Sequence, residues 1–190
     1  MPELWLVRHA ESLGNVDGSD GDTPLSPRGR LQAAALGRRL AGEVFDRVIS
    51  SPLQRARETA AIALPDRAVE IEPRVREFVG PRERFVDVST MDRARLYELL
   101  RREADQPRAE TGREFMARVR GWLAALPSAG RIVVITHFGV VRECLYALFP
   151  AAERVQALGH ASISGVRVCA EGSEILAIDD RRHLAELAGA

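Results

Sequence analysis

Two uninterrupted apolar runs stand out along the chain, and each is short enough to be a single strand. Leu4 to Val7 and Ile132 to Ile135 show no alternation with polar residues, which is typical of parallel strands buried on both faces of a sheet. They predict strands over residues 3–7 and 131–136. Shorter strands are predicted at 47–50, 69–72, 162–169 and 174–178.

Helix start signals lie between these strands. Ser26-Pro27 and Ser51-Pro52 each combine an N-cap residue with Pro at the first helical position. They predict one helix to about Ala41 and another to about Leu64.

A capping box at Thr111 and Glu114 predicts a further helix. Its apolar residues recur at helical spacing, which indicates core packing: Phe115, Val119, Trp122 and Leu126. Helices are also predicted over 91–103 and 139–149, with irregular segments at 16–24 and 73–90.

The alternation of strands with helices predicts the fold class. It favours a three-layer α/β/α sandwich with a mainly parallel central sheet. At 190 residues, the chain is expected to form one domain over residues 1–190.

Composition excludes several function classes. Basic and acidic residues number 27 each, which gives no support to nucleic-acid binding. Every basic residue is Arg, so a P-loop lysine and Schiff-base chemistry are excluded. Cys144 and Cys169 lack metal-type spacing and suit a reducing compartment. Because Arg8 and Glu11 interrupt the first apolar run and no run reaches 18 residues, we expect no secretory leader, no membrane contact and a cytoplasmic location.

Cationic and imidazole side chains follow three of the predicted strands. Arg8 and His9 end the first strand, Arg55 lies early in the helix after the second, and His137 ends the long central strand. Adjacent strand ends in such a sheet open on one crevice, where guanidiniums and helix N-termini favour a phosphoryl group. An imidazole kept neutral by nearby positive charge can attack phosphorus.

Four linked motifs give the chain a family resemblance. It resembles the histidine phosphatase superfamily, also called phosphoglycerate mutase-like, over nearly its whole length. The motifs are Arg8-His9-Ala10-Glu11-Ser12 with Asn15, Thr23-Pro24-Leu25-Ser26-Pro27-Arg28-Gly29, Ser50-Ser51-Pro52-Leu53-Gln54-Arg55-Ala56-Arg57-Glu58-Thr59-Ala60 and Thr136-His137-Phe138-Gly139-Val140-Val141-Arg142.

The resemblance implies roles for these residues. His9 would be the phosphorylated nucleophile, and Arg8, Arg55 and His137 would hold the phosphoryl oxygens. Asn15 would lie in the same pocket. The resemblance implies neither a metal nor another cofactor.

A carboxylate should act as general acid, and the resemblance implies a Glu between the second and last motifs. Glu77 matches best, with Glu83 as the substitute, because the residues after Glu77 depart from the pattern. His160 is a second departure, since relatives often carry Asn at that point.

Several functions stay open on the sequence alone. The leading interpretation is a phosphatase acting on a phosphorylated small molecule. The alternatives are a cofactor-dependent phosphoglycerate-type mutase, a protein phosphohistidine phosphatase and a phosphate-binding, inactive regulator.

Substrate and oligomeric state have weaker signals. Arg76, Arg82 and Arg84 hint at a second anionic group on the substrate. An exposed edge strand could pair two copies in a homodimer.

Overall fold

The computed structural model describes residues 2–18, 21–78, 110–150, 155, 157–169 and 172–187. The helix predicted over 91–103 lies outside the described residues, and so do Arg82, Glu83 and Arg84.

A six-stranded sheet forms the centre, in the order β3-β2-β4-β1-β5-β6. The first four strands in this order are parallel, and β5 and β6 are antiparallel to their neighbours. The strands are β1 (Pro2–Arg8), β2 (Arg47–Ser50), β3 (Val69–Ile71), β4 (Gly130–Thr136), β5 (Ile163–Arg167) and β6 (Glu174–Asp180).

The two apolar runs occupy the middle of this sheet, where β1 and β4 pair in parallel. Leu4 and Leu6 of β1 contribute to the core on one face, whereas Trp5 and Val7 contribute to the core on the other. Since side chains alternate along a strand, an unbroken apolar run supplies both cores at once.

Helices cover both faces of the sheet, which confirms the predicted α/β sandwich. The helices are α1 (Leu13–Asp17), α2 (Pro27–Leu40), α3 (Gln54–Ala63), α4 (Gly112–Ala124) and α5 (Phe138–Leu148), with 3-10 turns at Pro73–Val75 and Arg182–Leu187. Residues of α2 and α3 form the core with Trp5 and Val7, and residues of α4 and α5 form the core with Leu4 and Leu6.

Predicted and observed boundaries differ at several elements, including the start of α3 and the end of α1. The helix expected from Ser51-Pro52 begins at Gln54, whose backbone N–H donates to Asp22. The segment expected to be irregular from residue 16 begins inside α1, which ends at Asp17.

In the part of the chain that the structure describes, every helix is too short or too polar to cross a membrane.

Candidate active site

The carboxyl ends of β1 and β4 bring the two motif histidines together. The backbone N–H of His9 donates to the carbonyl of Thr136 at 2.7 Å, which continues the strand pairing past Arg8. The ring centroids of His9 and His137 are 5.0 Å apart. Residues 128 positions apart in the chain therefore share one crevice.

The His9 imidazole is buried and held in one tautomer. Its Nδ1 lies 2.7 Å from the carbonyl oxygen of Ala10, which can only accept, so the proton resides on Nδ1. Its Nε2 then carries a lone pair, which accepts a hydrogen bond from Arg55 Nε at 3.2 Å. Burial lowers the pKa of His9 well below its usual value, and nearby His137, Arg55 and Arg8 lower it further. His9 is thus a neutral imidazole whose Nε2 lone pair has a fixed orientation.

Arg55 reaches the site from the first turn of α3. Burial lowers its pKa, but an Arg guanidinium starts from so high a value that it stays cationic. Its terminal Nη1 lies 3.6 Å from Asp22 Oδ1, and Asp22 also accepts from the backbone N–H of Gln54 at 2.7 Å. Asp22 thereby ties the loop before α2 to the start of α3.

Arg8 is fixed by the loop that precedes β5. It donates to the carbonyl of Leu158 at 2.5 Å, and its second terminal nitrogen lies 2.8 Å from Nε2 of His160. The His160 ring centroid is 5.7 Å from that of His9. Burial, together with Arg8 and Arg55, lowers the pKa of His160 to about 3, so its ring is neutral and accepts from Arg8.

His137 precedes α5 and is fully buried. Its Nε2 lies 2.7 Å from the hydroxyl oxygen of Ser51. Burial lowers the pKa of His137 well below its usual value, and Arg55 and Arg8 lower it further. The site therefore combines neutral imidazoles with cationic guanidiniums, which suits a negatively charged ligand.

Glu77 approaches the same region from the segment after β3. One carboxylate oxygen accepts from the backbone N–H of Gly139 at 3.3 Å, and the other accepts from Phe78 N at 3.0 Å. A Cβ at position 139 would lie 2.5 Å from Oε1 of Glu77. Gly139 thus leaves the space that the carboxylate occupies at the N-terminus of α5.

Two contacts hold the Glu77 segment in place. Thr136, at the end of β4, donates from its hydroxyl to the carbonyl of Val75 at 2.6 Å. Arg118 of α4 donates to the carbonyls of Arg74 and Arg76, at 2.6 and 3.1 Å. These contacts join the segment to both the central strand and a flanking helix.

The other predicted residues have local contacts. Asn15 is exposed, and its side-chain oxygen accepts from the backbone N–H and the hydroxyl of Ser12, within the capping box of α1. Arg76 lies 3.5 Å from Glu110 in an ion pair.

Three site contacts were not assigned from the sequence: Ser51 with His137, Asp22 with Arg55, and His160 with Arg8. The sequence signals were a serine beside a motif Pro, an acidic loop and a departure from the family pattern. None of these signals specifies a partner, because each partner is far away in the chain.

The fold and this cluster of residues are those of a known family. Residues 4–181 match the family model of the histidine phosphatase superfamily (branch 1). The chain belongs to that superfamily.

The similar proteins are named either as alpha-ribazole phosphatases or as probable phosphoglycerate mutases. The chain is 43% identical over 72 residues to "Adenosylcobalamin/alpha-ribazole phosphatase" of Escherichia coli (strain K12), and the alignment covers 36% of each protein. The chain therefore spans about a third of the length of the first curated relatives it matches. It is 32% identical over 183 residues to "Probable phosphoglycerate mutase GpmB" of Citrobacter koseri, covering 87% of this chain and 85% of that protein. The alpha-ribazole phosphatase structure from Shigella flexneri superposes with a TM-score of 0.77 at 28% identity, covering 94% of this chain and 96% of that one.

Proposed function

We propose that the protein is a phosphatase that hydrolyses phosphomonoesters of small molecules through a covalent phosphohistidine on His9. The observation that carries the proposal is the state of His9: a buried, neutral imidazole whose Nδ1–H is held by Ala10, with its Nε2 lone pair beside Arg55. A nucleophile needs that lone pair, and an incoming phosphoryl group needs the adjacent positive charge.

The first half-reaction transfers the phosphoryl group to the protein. The His9 Nε2 lone pair forms the N–P bond while the ester P–O bond breaks, and Glu77 donates a proton to the departing oxygen. In the second half, the Glu77 carboxylate takes a proton from water, the water oxygen attacks phosphorus, and the N–P bond breaks. Inorganic phosphate leaves and His9 is again neutral.

Arg8, Arg55 and His137 would stabilise the charge on the phosphoryl oxygens during both steps. Donors of this kind are already oriented, since Arg8 donates to the Leu158 carbonyl and Arg55 pairs with Asp22. Removal of one such donor typically lowers the rate by about 100- to 1000-fold. This cluster supplies the positive charge on which the mechanism depends, so the proposal assigns no step to a metal.

The relatives support two candidate activities. Similarity to alpha-ribazole phosphatases favours hydrolysis, with alpha-ribazole 5′-phosphate as a first substrate to test. The longer alignment to GpmB favours a mutase as the second candidate, in which a second substrate hydroxyl replaces water as the acceptor.

The test measures phosphate release from p-nitrophenyl phosphate in EDTA for the wild type, His9→Ala and His183→Gln. The last variant is the matched control, because His183 contacts the Ala161 carbonyl and Gln retains a donor. Activity that survives EDTA, persists in His183→Gln and disappears in His9→Ala supports the proposal. Activity retained in His9→Ala would refute it.

Trapping separates hydrolysis from the alternatives. After brief exposure to a labelled ester, an acid-labile and alkali-stable label that depends on His9 indicates a phosphohistidine. Isomerisation of 3-phosphoglycerate in the presence of a bisphosphate primer, without phosphate release, would favour the mutase. Preferential attack on phosphohistidine proteins would favour the protein phosphatase, and phosphate binding without any label would favour the inactive regulator.

A further inference from the structure

One polar atom of the His137 imidazole lacks a hydrogen-bond partner in the part of the chain that the structure describes. Its Nε2 contacts the Ser51 hydroxyl, whereas its buried Nδ1 has no hydrogen-bond partner among the described residues. The lowered pKa of His137 means that the ring is neutral. A neutral imidazole has one proton, so one nitrogen donates and the other accepts. The position of that proton decides what Nδ1 can bind.

The hydrogen bonds of Ser51 indicate where the proton lies. The Ser51 oxygen already accepts from the backbone N–H of Leu53 at 3.2 Å. Its own proton needs an acceptor, and His137 Nε2 is the only one in contact with it among the described residues. A proton on Nε2 would leave both the Ser51 hydroxyl proton and the Nδ1 lone pair unsatisfied in a fully buried place. The proton therefore belongs on Nδ1.

We propose that Ser51 is a positioning residue that fixes this tautomer of His137, so that Nδ1–H donates to an oxygen of the bound phosphoryl group. The inference rests on the proposed function, because it assigns one of the donors for the phosphoryl group. An N–H attracts a phosphoryl oxygen, whereas a lone pair at the same place would repel it. The His9 and His137 rings are neighbours, with 5.0 Å between their centroids, so a donor on His137 would act close to His9.

Nitrogen-15 NMR of histidine-labelled protein tests the tautomer directly. We expect a protonated, pyrrole-type Nδ1 and a pyridine-type Nε2 for His137, assigned by comparison with His137→Gln. Addition of inorganic phosphate should shift the Nδ1–H signal, and Ser51→Ala should convert the single tautomer into a mixture. A proton on Nε2 in the wild type, or an unchanged tautomer in Ser51→Ala, would overturn the proposal. This readout needs no turnover, so it can succeed or fail independently of the phosphatase reaction.

Kinetics then show whether Ser51 acts through His137. Ser51→Ala should lower kcat/KM for p-nitrophenyl phosphate about tenfold, as expected for one hydrogen bond. In a His137→Gln background the same change should alter kcat/KM by less than about twofold. Ser164→Ala removes a buried hydroxyl of β5 that accepts from the backbone N–H of Asp179, and it should leave kcat/KM unchanged. An equal loss from Ser51→Ala in both backgrounds would show a merely structural role and overturn the proposal.

Discussion

Replacement of Gly139 by Ala should displace Glu77, the proposed general acid, and leave the rest of the site in place. The added Cβ would lie 2.5 Å from Oε1 of Glu77 and 3.3 Å from Cζ of Phe115. An ordinary contact starts near 3.4 Å, so the carboxylate must retreat by about 1 Å. The carboxylate ends a flexible side chain, so this movement is possible without displacement of the helix.

The magnitude follows from the displacement. A reacting group misplaced by about 1 Å can lose about 100-fold in rate. We therefore expect Gly139→Ala to lower kcat for an alkyl phosphate such as glycerol phosphate by up to about 100-fold. The loss should be much smaller for p-nitrophenyl phosphate, whose leaving oxygen needs little protonation. Ala is also preferred over Gly in helices by up to about 1 kcal/mol, so unfolding should not become easier.

The assay compares both esters for the wild type, Gly139→Ala, Glu77→Gln and Gly121→Ala. Gly121 is the matched control, because it lies in α4 and a Cβ there would meet no atom within 4 Å. Gly139→Ala and Glu77→Gln should show the same dependence on the leaving group. Full activity of folded Gly139→Ala on glycerol phosphate would refute the assignment of Glu77 and direct attention to Glu83.

Two further predictions concern stability. Gly29→Ala should lower the free energy of unfolding in urea by about 1–3 kcal/mol, because its Cβ would lie 1.9 Å from the backbone oxygen of Glu11; a loss no larger than that of Gly121→Ala would contradict this packing. His160→Asn should make stability less sensitive to acid. Since the pKa of His160 falls from 6.5 to about 3 on folding, the unfolded chain binds its proton first, and stability is lost as pH falls below 6.5. The free energy of unfolding, measured in urea, should fall between pH 7 and pH 5, and this fall should be about 2 kcal/mol smaller in His160→Asn than in the wild type. An equal fall in both proteins would contradict a buried neutral His160.

The strands and the main helix starts were predictable because their causes are local. The apolar run from Ile132 to Ile135 requires burial on both faces, and the capping box at Thr111 satisfies amides of the same turn. Contacts made by the ends of side chains were harder to predict from the sequence. Arg8 meets His160 across 152 positions, and Ser51 meets His137 across 86, so no short pattern encodes either pair. The predicted start of α3 was wrong for the same reason, because the backbone N–H of Gln54 donates to Asp22, which lies far away in the chain.

The neutrality of the imidazoles explains how three histidines can pack beside two charged arginines in one crevice. Three fully charged histidines beside Arg8 and Arg55 would repel one another strongly at this burial. Burial instead holds His9, His137 and His160 neutral, so that only the guanidiniums carry full positive charge. The same burial that we expect to make the folded protein sensitive to acid therefore keeps Nε2 of His9 unprotonated. In the proposed reaction a phosphoryl group adds the negative charge that the guanidiniums favour, so affinity for phosphate and nucleophilicity would arise from one arrangement of strand ends.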